Sequence, residues 1–165
     1  MAENTIKVDI SDAKVSSNPH HTLATYALGS CIGLCVYDPV AQIGAMFHYL
    51  LPNSKENPQH AQANPFQYAD TGMNILLEEL IAMGAEKRRL KVTIAGGAEV
   101  LDNSSEKFDI GKRNYLAIRK ILWKNGMLIN AEDVGGTKPR TMYLSIADGS
   151  VKIKSYSSNT ELVLA

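Results

Sequence analysis

Cysteine and uncompensated charge are both scarce in this sequence. Its 165 residues contain only two cysteines, Cys31 and Cys35, too few for the disulfide framework of a small secreted domain. The 17 Lys and Arg residues balance 17 Asp and Glu residues and are scattered, so the basic footprint that binds a phosphate backbone is missing. Nucleic acid is therefore not a predicted partner.

Long apolar runs are also missing. No window approaches the ~20 apolar residues needed to span a bilayer, and the N-terminus has no basic segment followed by an apolar stretch. We therefore expect a cytoplasmic protein without direct membrane insertion. The four histidines and two cysteines lack the paired spacing of a zinc site, so neither a metal nor another cofactor is predicted.

The sequence does have enough apolar material for one core. An apolar fraction of 45% predicts a single globular domain over residues 1–165, able to bury roughly 70% of its unfolded surface. Residues 1–20 are expected to form an N-terminal strand, Ile6–Ile10, and a loop. Residues 157–165 are expected to form a C-terminal tail with a short strand over Leu162–Leu164.

Two consecutive segments are apolar on both alternating faces, which is typical of strands buried on both sides. They are Cys31–Tyr37 and Ile43–Leu51, and Pro39 between them occupies the second position of a predicted turn. The sequence therefore predicts a central hairpin, preceded by a strand over Thr22–Leu28.

Two helices are predicted from apolar residues at three- and four-residue spacing. The first has Asp70 as its expected N-cap and Gly84 just past its end, and the second covers about Gly111–Asn125. Because most strands form hairpins rather than alternating with helices, the predicted class is α+β, with mixed sheets covered by two helices. The remaining expected segments are strands over Leu90–Ile94, Met127–Ala131, Arg140–Ala147 and Val151–Tyr156, and loops over Asn53–Asn64 and Asp102–Asp109.

The central hairpin brings one thiol and one imidazole to the same face. If its turn has two residues, Cys31 lies directly opposite His48; if it has four, Cys31 lies opposite Leu50 and His48 is the diagonal neighbour. The two Cβ atoms would then be about 5 Å or about 7–8 Å apart, respectively. An odd number of turn residues would place the two side chains on opposite faces.

A cysteine next to a histidine becomes a nucleophile when the imidazolium lowers the pKa of the thiol. We therefore expect Cys31 to be partly ionised at neutral pH. Gly29 and Ser30 would let the chain turn so that main-chain N–H groups face a developing oxyanion. The competing interpretation is that Cys31 and His48 are ordinary core residues. Cys35 has only this core interpretation.

Six short motifs resemble a known family in their order and spacing. They span the chain from about Thr22 to Tyr156. The motifs are Leu28-Gly-Ser-Cys-Ile-Gly33, Gly44-Ala-Met-Phe-His-Tyr-Leu-Leu-Pro52, Tyr68-Ala-Asp-Thr71, Ile94-Ala-Gly-Gly-Ala98, Ile110-Gly-x-Arg-Asn114 and Ala131-Glu-Asp-x-Gly-Gly136. On these motifs the sequence is similar to the chemoreceptor glutamine deamidase family, CheD.

The resemblance implies a cysteine hydrolase that converts selected glutamine side chains of chemotaxis receptors to glutamate and releases ammonia. It implies that Cys31 is the nucleophile, that His48 is the acid and base, and that Thr25 orients the imidazole. From the residues alone, Thr25 would be interpreted as a surface strand threonine. The implied fold is similar to the deamidase domain of cytotoxic necrotizing factor toxins, in which mixed sheets pack together and are flanked by helices. The implied partners are the cytoplasmic helices of the receptors.

Two other functions are considered. The resemblance also implies docking to CheC, a phosphatase of the chemotaxis response regulator, and a member could bind CheC while deamidating little. Retention of Cys31, His48 and Thr25 favours the enzyme. A thiol redox protein would need Cys31 and Cys35 to meet, but along a strand their Cα atoms would be ~13 Å apart.

Overall fold

The structure, a computed structural model, describes residues 4–99, 109–155 and 161–164. The strands in this part of the chain are β1 Thr5–Lys7, β2 Asp12–Ser16, β3 Thr22–Leu28, β4 Ile32–Asp38, β5 Ile43–Tyr49, β6 Lys91–Gly96, β7 Ala131–Val134, β8 Arg140–Ser145, β9 Val151–Ser155 and β10 Glu161–Leu164. The α-helices are α1 Pro58–Ala63, α2 Ala69–Ala82 and α3 Ile110–Lys124, and short 3-10 helices occur at Pro65–Gln67 and Lys87–Arg89.

The strands form two mixed sheets. The first sheet has the order β1-β3-β8-β9-β10, and the second sheet has the order β2-β5-β4-β6-β7. The β1–β3 and β6–β7 pairs are parallel, whereas the other neighbours are antiparallel. This architecture confirms the predicted α+β class with mixed sheets and flanking helices. The similarity to the necrotizing factor domain stays a prediction.

The second sheet lies between the first sheet and the helices. One apolar cluster, between the two sheets, includes Leu144 and Met46. Another cluster, between the second sheet and helices α2 and α3, includes Leu34, Leu76 and Ile118. Every residue of β4 and β5 is buried, as expected for segments that are apolar on both faces.

Several predicted elements are confirmed. Strand β3 has the predicted bounds, β4 and β5 form the predicted hairpin, and α3 follows the predicted second helix within one residue at each end. The β8–β9 hairpin turns at Asp148-Gly149, and β10 covers the short strand expected in the tail.

The N-terminal prediction is only partly right, because the predicted single strand divides between the two sheets. Strand β1 covers only Thr5–Lys7, and the main chain of Val8 still bonds to Ala24 in β3. Ser11 then adopts a φ of 61°, and β2, which the sequence analysis missed, pairs with β5 in the second sheet. The chain thus crosses from one sheet to the other at Ser11.

Three other predictions are wrong in detail. The expected loop over Asn53–Asn64 contains α1, which begins with a side-chain cap from Asn57 and a proline in its first turn. Helix α2 begins after Tyr68, and Asp70 does not cap it: its carboxylate accepts from the main-chain N and Oγ of Ser54.

The strand expected over Met127–Ala131 is displaced towards the C-terminus. The main-chain N–H of Asn130 donates to the carbonyl of Val92, and the N–H of Val92 donates to the side-chain oxygen of Asn130. Because a side chain takes the place of one main-chain partner here, regular pairing with β6 starts only at Ala131. The loop expected over Asp102–Asp109 lies outside the described residues except for Asp109.

Candidate active site

The register of the central hairpin fixes where the thiol and the imidazole lie. Asp38 pairs with Ile43, so the turn has four residues and the second of the two predicted geometries is right. Gly33 pairs with His48. Cys31 lies two residues before Gly33 and just outside β4, so continued alternation would place it on the same side of the sheet as His48. That side is the interior between the two sheets, where Cys31 belongs to the apolar cluster.

Thr25 reaches the imidazole from the opposite sheet. Its Oγ1 lies 2.7 Å from His48 Nδ1 and 2.7 Å from the main-chain oxygen of Val8. Both Thr25 and His48 are buried, with 0% and 1% of their surface exposed. The surface position expected for Thr25 from the residues alone is therefore wrong, because the first sheet turns this face onto the second sheet. Just beyond Thr25 the pairing of β3 shifts in register, and Ala27 has a φ of 56°.

The hydrogen-bond pattern around Thr25 determines the tautomer of His48. A hydroxyl carries a single proton, and the carbonyl of Val8 can only accept, so Thr25 donates to Val8 and accepts from Nδ1–H of His48. The proton of the neutral ring is then on Nδ1, and Nε2 carries a lone pair. That Nε2 atom is buried and has no hydrogen-bond partner among the described residues. The imidazole is thus set up as a proton acceptor.

Burial also controls the charge of His48. Removal from water disfavours the imidazolium and lowers the pKa of His48 to about 4, and the negative charge of Asp9 offsets this only in part. At neutral pH the ring is therefore uncharged, which agrees with an Nδ1–H donor and a free Nε2 acceptor.

Cys31 is close to fully buried, with 8% of its surface exposed. Burial raises the pKa of the Cys31 thiol to about 11, although a hydrogen bond from its own main chain acts in the opposite direction. The expectation of a lowered thiol pKa next to an imidazolium is therefore wrong: both the thiol of Cys31 and the imidazole of His48 are neutral at pH 7. Cys35 is a free thiol in the core, and burial raises its pKa further.

The turn before Cys31 is held by main-chain bonds from the two residues that follow β6. The N–H of Ala98 donates to the carbonyl of Gly29, and the N–H of Gly97 donates to the carbonyl of Cys31, both at 2.9 Å. Between these two carbonyls lies Ser30. Neither the N–H of Ser30 nor that of Cys31 donates to a main-chain carbonyl of the described residues, and the N–H of Cys31 contacts its own thiol. The expected oxyanion site at this turn stays a prediction.

The carbonyl of Ser30 is held by a side chain. Asn114 Nδ2 donates to the carbonyl of Ser30 and to that of Leu50, each at 2.9 Å. Sequence reasoning missed Asn114. A signal was available, because Asn114 is the one side chain with a polar group among the buried positions of α3, which are Gly111, Asn114, Ile118 and Leu122.

Neither a cluster of metal-binding side chains nor a membrane-spanning helix is found in the part of the chain that the structure describes. Within residues 4–99 and 109–155, no group of three or more His, Cys, Asp or Glu side chains could hold a metal ion. No helix in the part of the chain that the structure describes is long and apolar enough to cross a membrane.

A cysteine on a tightly held turn and a buried imidazole that is oriented by a hydroxyl are the side-chain types of a candidate cysteine hydrolase, although no hydrogen bond joins Cys31 Sγ to His48 Nε2 in the structure. Comparison with known proteins places the chain more narrowly. The family model described as CheD chemotactic sensory transduction matches residues 50–155. The chain therefore belongs to the CheD family.

Curated relatives match over a longer range than the family model. A probable chemoreceptor glutamine deamidase CheD of Solibacter usitatus is 50% identical over 96% of this chain and 93% of its own length. Probable deamidases of the same name are 44% identical in Syntrophus aciditrophicus, over 90% of this chain and 92% of theirs, and 39% identical in Pyrococcus horikoshii, over 90% and 91%.

Among solved structures, a Neisseria meningitidis protein of the DUF152 family has a TM-score of 0.41 and 14% identity, covering 81% of this chain and 60% of its own. A similarity this weak carries no argument about the fold or the function.

Proposed function

We propose that this chain is a cysteine-dependent chemoreceptor glutamine deamidase, which converts selected glutamine side chains on the cytoplasmic helices of chemotaxis receptors to glutamate and releases ammonia. The names of its relatives, up to 50% identical over nearly the whole chain, support this activity. The observation that carries the assignment of the residues is the Thr25–His48 hydrogen bond, which leaves Nε2 of His48 unpartnered on the face that Cys31 shares.

In the first step, Cys31 Sγ attacks the carbon of the glutamine carboxamide. The thiol proton passes to His48 Nε2 as the carbon–sulfur bond forms, because neither group is charged beforehand at neutral pH. The carbonyl oxygen becomes an oxyanion, and we assign the main-chain N–H groups of Ser30 and Cys31 as its donors.

In the second step, the tetrahedral intermediate loses its nitrogen. The His48 imidazolium gives its proton to the departing nitrogen, and the carbon–nitrogen bond breaks. Ammonia departs, and the glutamine side chain remains bound to Cys31 as a thioester. His48 Nε2 then takes a proton from water, which attacks the thioester. The carbon–sulfur bond breaks, the side chain becomes glutamate, and the thiol is restored. Thr25 keeps the ring oriented throughout by accepting from Nδ1–H.

The burial of the thiol supports a slender substrate. Only 8% of the Cys31 surface is exposed, and His48 Nε2 is sealed from solvent. A glutamine side chain ends in a flat carboxamide on two methylenes, so it needs less room to reach a buried thiol than a main-chain segment does. A glutamine side chain presented by a receptor helix therefore suits the buried thiol better as a substrate than a main-chain peptide bond does.

The test is mass spectrometry of a receptor cytoplasmic fragment after incubation with the protein. Wild type is expected to raise the mass of specific glutamine-containing peptides by about 1 Da each and to release ammonia in equal amount, because an amide becomes an acid. Cys31→Ala is expected to do neither. Cys35→Ala is the matched control, since Cys35 is the other buried thiol in the same cluster, and it should retain activity.

An unchanged mass with the wild-type protein would contradict the deamidase proposal. It would favour the alternative, in which the chain acts mainly as a binding partner of a CheC-type phosphatase. That alternative gives no role to the buried Thr25–His48 pair, so we place it second.

A further inference from the structure

The three carbonyls of the turn Gly29-Ser30-Cys31 are all held from outside the turn. Main-chain N–H groups hold those of Gly29 and Cys31, whereas the carbonyl of Ser30 depends on the side chain of Asn114. A main-chain donor is supplied by any residue at its position. A side-chain donor depends on the identity of residue 114.

The carbonyl of Ser30 and the N–H of Cys31 belong to one peptide unit. In a planar trans peptide these two groups point in opposite directions, so the donor that fixes the carbonyl also fixes the direction of the N–H. Asn114 Nδ2 pulls the carbonyl of Ser30 towards α3. The N–H of Cys31 is consequently directed away from α3, and it donates to no main-chain carbonyl of the described residues.

We propose that Asn114 is a positioning residue that aims the Cys31 N–H at the oxyanion formed during acyl transfer. This inference rests on the proposed cysteine hydrolase chemistry and adds to it a residue outside the Cys31, His48 and Thr25 set. Asn114 does not touch the reacting atoms. It acts through the peptide unit between Ser30 and Cys31.

The orientation of the Asn114 amide is set by its partners. Nδ2 lies 2.9 Å from two carbonyl oxygens, and a reversed amide would place Oδ1 against both of them. The same orientation leaves Oδ1 buried without a partner in the described residues. An unpartnered buried oxygen weakens folding, so this arrangement indicates a role for Asn114 beyond stability.

Two further contacts hold the start of α3 against the turn. The hydroxyl of Tyr49 donates to the main-chain oxygen of Asn114. One turn earlier, Gly111 packs so closely on Gly97 and Ala98 that a Cβ would overlap their main-chain oxygens. Gly97 and Ala98 themselves bond to the carbonyls of Cys31 and Gly29. Asn114 is therefore held at a fixed position relative to Cys31.

The experiment compares two reactions of Cys31 that differ only in whether an oxyanion forms. It uses the Cys35→Ala background, so that Cys31 is the only thiol. Acylation by p-nitrophenyl acetate passes through a tetrahedral oxyanion, whereas alkylation by iodoacetamide is a displacement at a saturated carbon and does not. Neither reaction requires a receptor.

Asn114→Ala is expected to slow acylation by about 10²-fold, as loss of one oxyanion donor does, and to leave alkylation unchanged. On a receptor fragment, kcat should fall by a similar factor with KM nearly constant. Asn125→Ala is the matched control. Asn125 Nδ2 also donates to a main-chain carbonyl, that of Ile121, but at the other end of α3.

Equal slowing of both reactions, or slowing of neither, would overturn the inference. If Asn114→Ala does not fold, the same ratio of rates is measured for Asn114→Asp, which keeps the shape of the side chain but places a second oxygen in the donor position. If the wild type acylates quickly but leaves every receptor glutamine unchanged, the deamidase proposal fails, and the ratio of rates still decides the role of Asn114.

Discussion

The hydroxyl of Thr25 makes a prediction that separates orientation of the imidazole from simple packing. Thr25→Val keeps the shape of a fully buried side chain but removes the atom that donates to Val8 and accepts from His48. Two buried polar groups then lose their partner, at about 1–3 kcal/mol each, and the added methyl group returns about 0.8 kcal/mol. We therefore expect a net loss of about 3 kcal/mol in the free energy of unfolding.

The effect on catalysis should exceed the effect on folding. Without an acceptor for Nδ1–H, the imidazole can move its proton to Nε2 and stop acting as a base, so we expect kcat to fall by about 10²–10⁴-fold in protein that remains folded. Thr25→Ser is the matched variant. It keeps the hydroxyl and loses one methyl group, so it should cost about 1 kcal/mol of stability and retain most of the activity.

The assays are chemical denaturation, ammonia release, and the ¹⁵N chemical shifts of the His48 ring, which distinguish the two tautomers. The reasoning is refuted if folded Thr25→Val deamidates at the wild-type rate. It is also refuted if the wild-type ring carries its proton on Nε2.

Three further predictions follow from burial and close packing. Folding lowers the pKa of His48 from 6.5 to about 4. The stability that the neutral ring contributes is therefore complete above pH 6.5, and about 3 kcal/mol of it is lost as the pH falls to about 4. His48→Gln should remove this pH dependence from denaturation curves measured between pH 4 and 6.5. Alkylation of Cys31 by iodoacetamide should be slower than that of free cysteine at pH 7, and its rate should increase with pH up to the thiol pKa of about 11. A fast reaction below pH 7 would show that the thiol is ionised at that pH. Gly72→Ala should lower the free energy of unfolding by about 1–3 kcal/mol and with it the melting temperature, because a Cβ in α2 would overlap the Phe47 ring; an unchanged melting temperature would mean that α2 can shift away from β5.

The parts of the fold that follow from local pattern could be predicted from the sequence. Segments apolar on both faces predicted the β4–β5 hairpin, and alternation placed Cys31 and His48 on one face for a turn of two or four residues. Helix α3 followed from its periodicity and from Gly126 at its end. These features depend only on residues close in sequence.

The contacts that build the site are of a different kind. The bond between Thr25 and His48 joins two sheets, so it depends on how the sheets pack and not on either strand alone. The same is true of Asn114, which meets Ser30 from a helix 84 residues away. The pKa of Cys31 depends on the depth of burial, which the sequence pattern does not give; for that reason the expected direction of its shift was wrong.

The central claim is that the acyl group of the glutamine side chain forms a thioester with Cys31 before water hydrolyses that thioester. The most direct measurement adds hydroxylamine during the reaction on a receptor fragment, because hydroxylamine competes with water for a thioester. We predict that the modified glutamines then divide between a gain of about 1 Da and a gain of about 16 Da, the hydroxamate, with wild type and with Cys35→Ala, and that Cys31→Ala gives neither. Deamidation that proceeds at the same glutamines with Cys31→Ala, or that never yields the hydroxamate with wild type, would contradict the account.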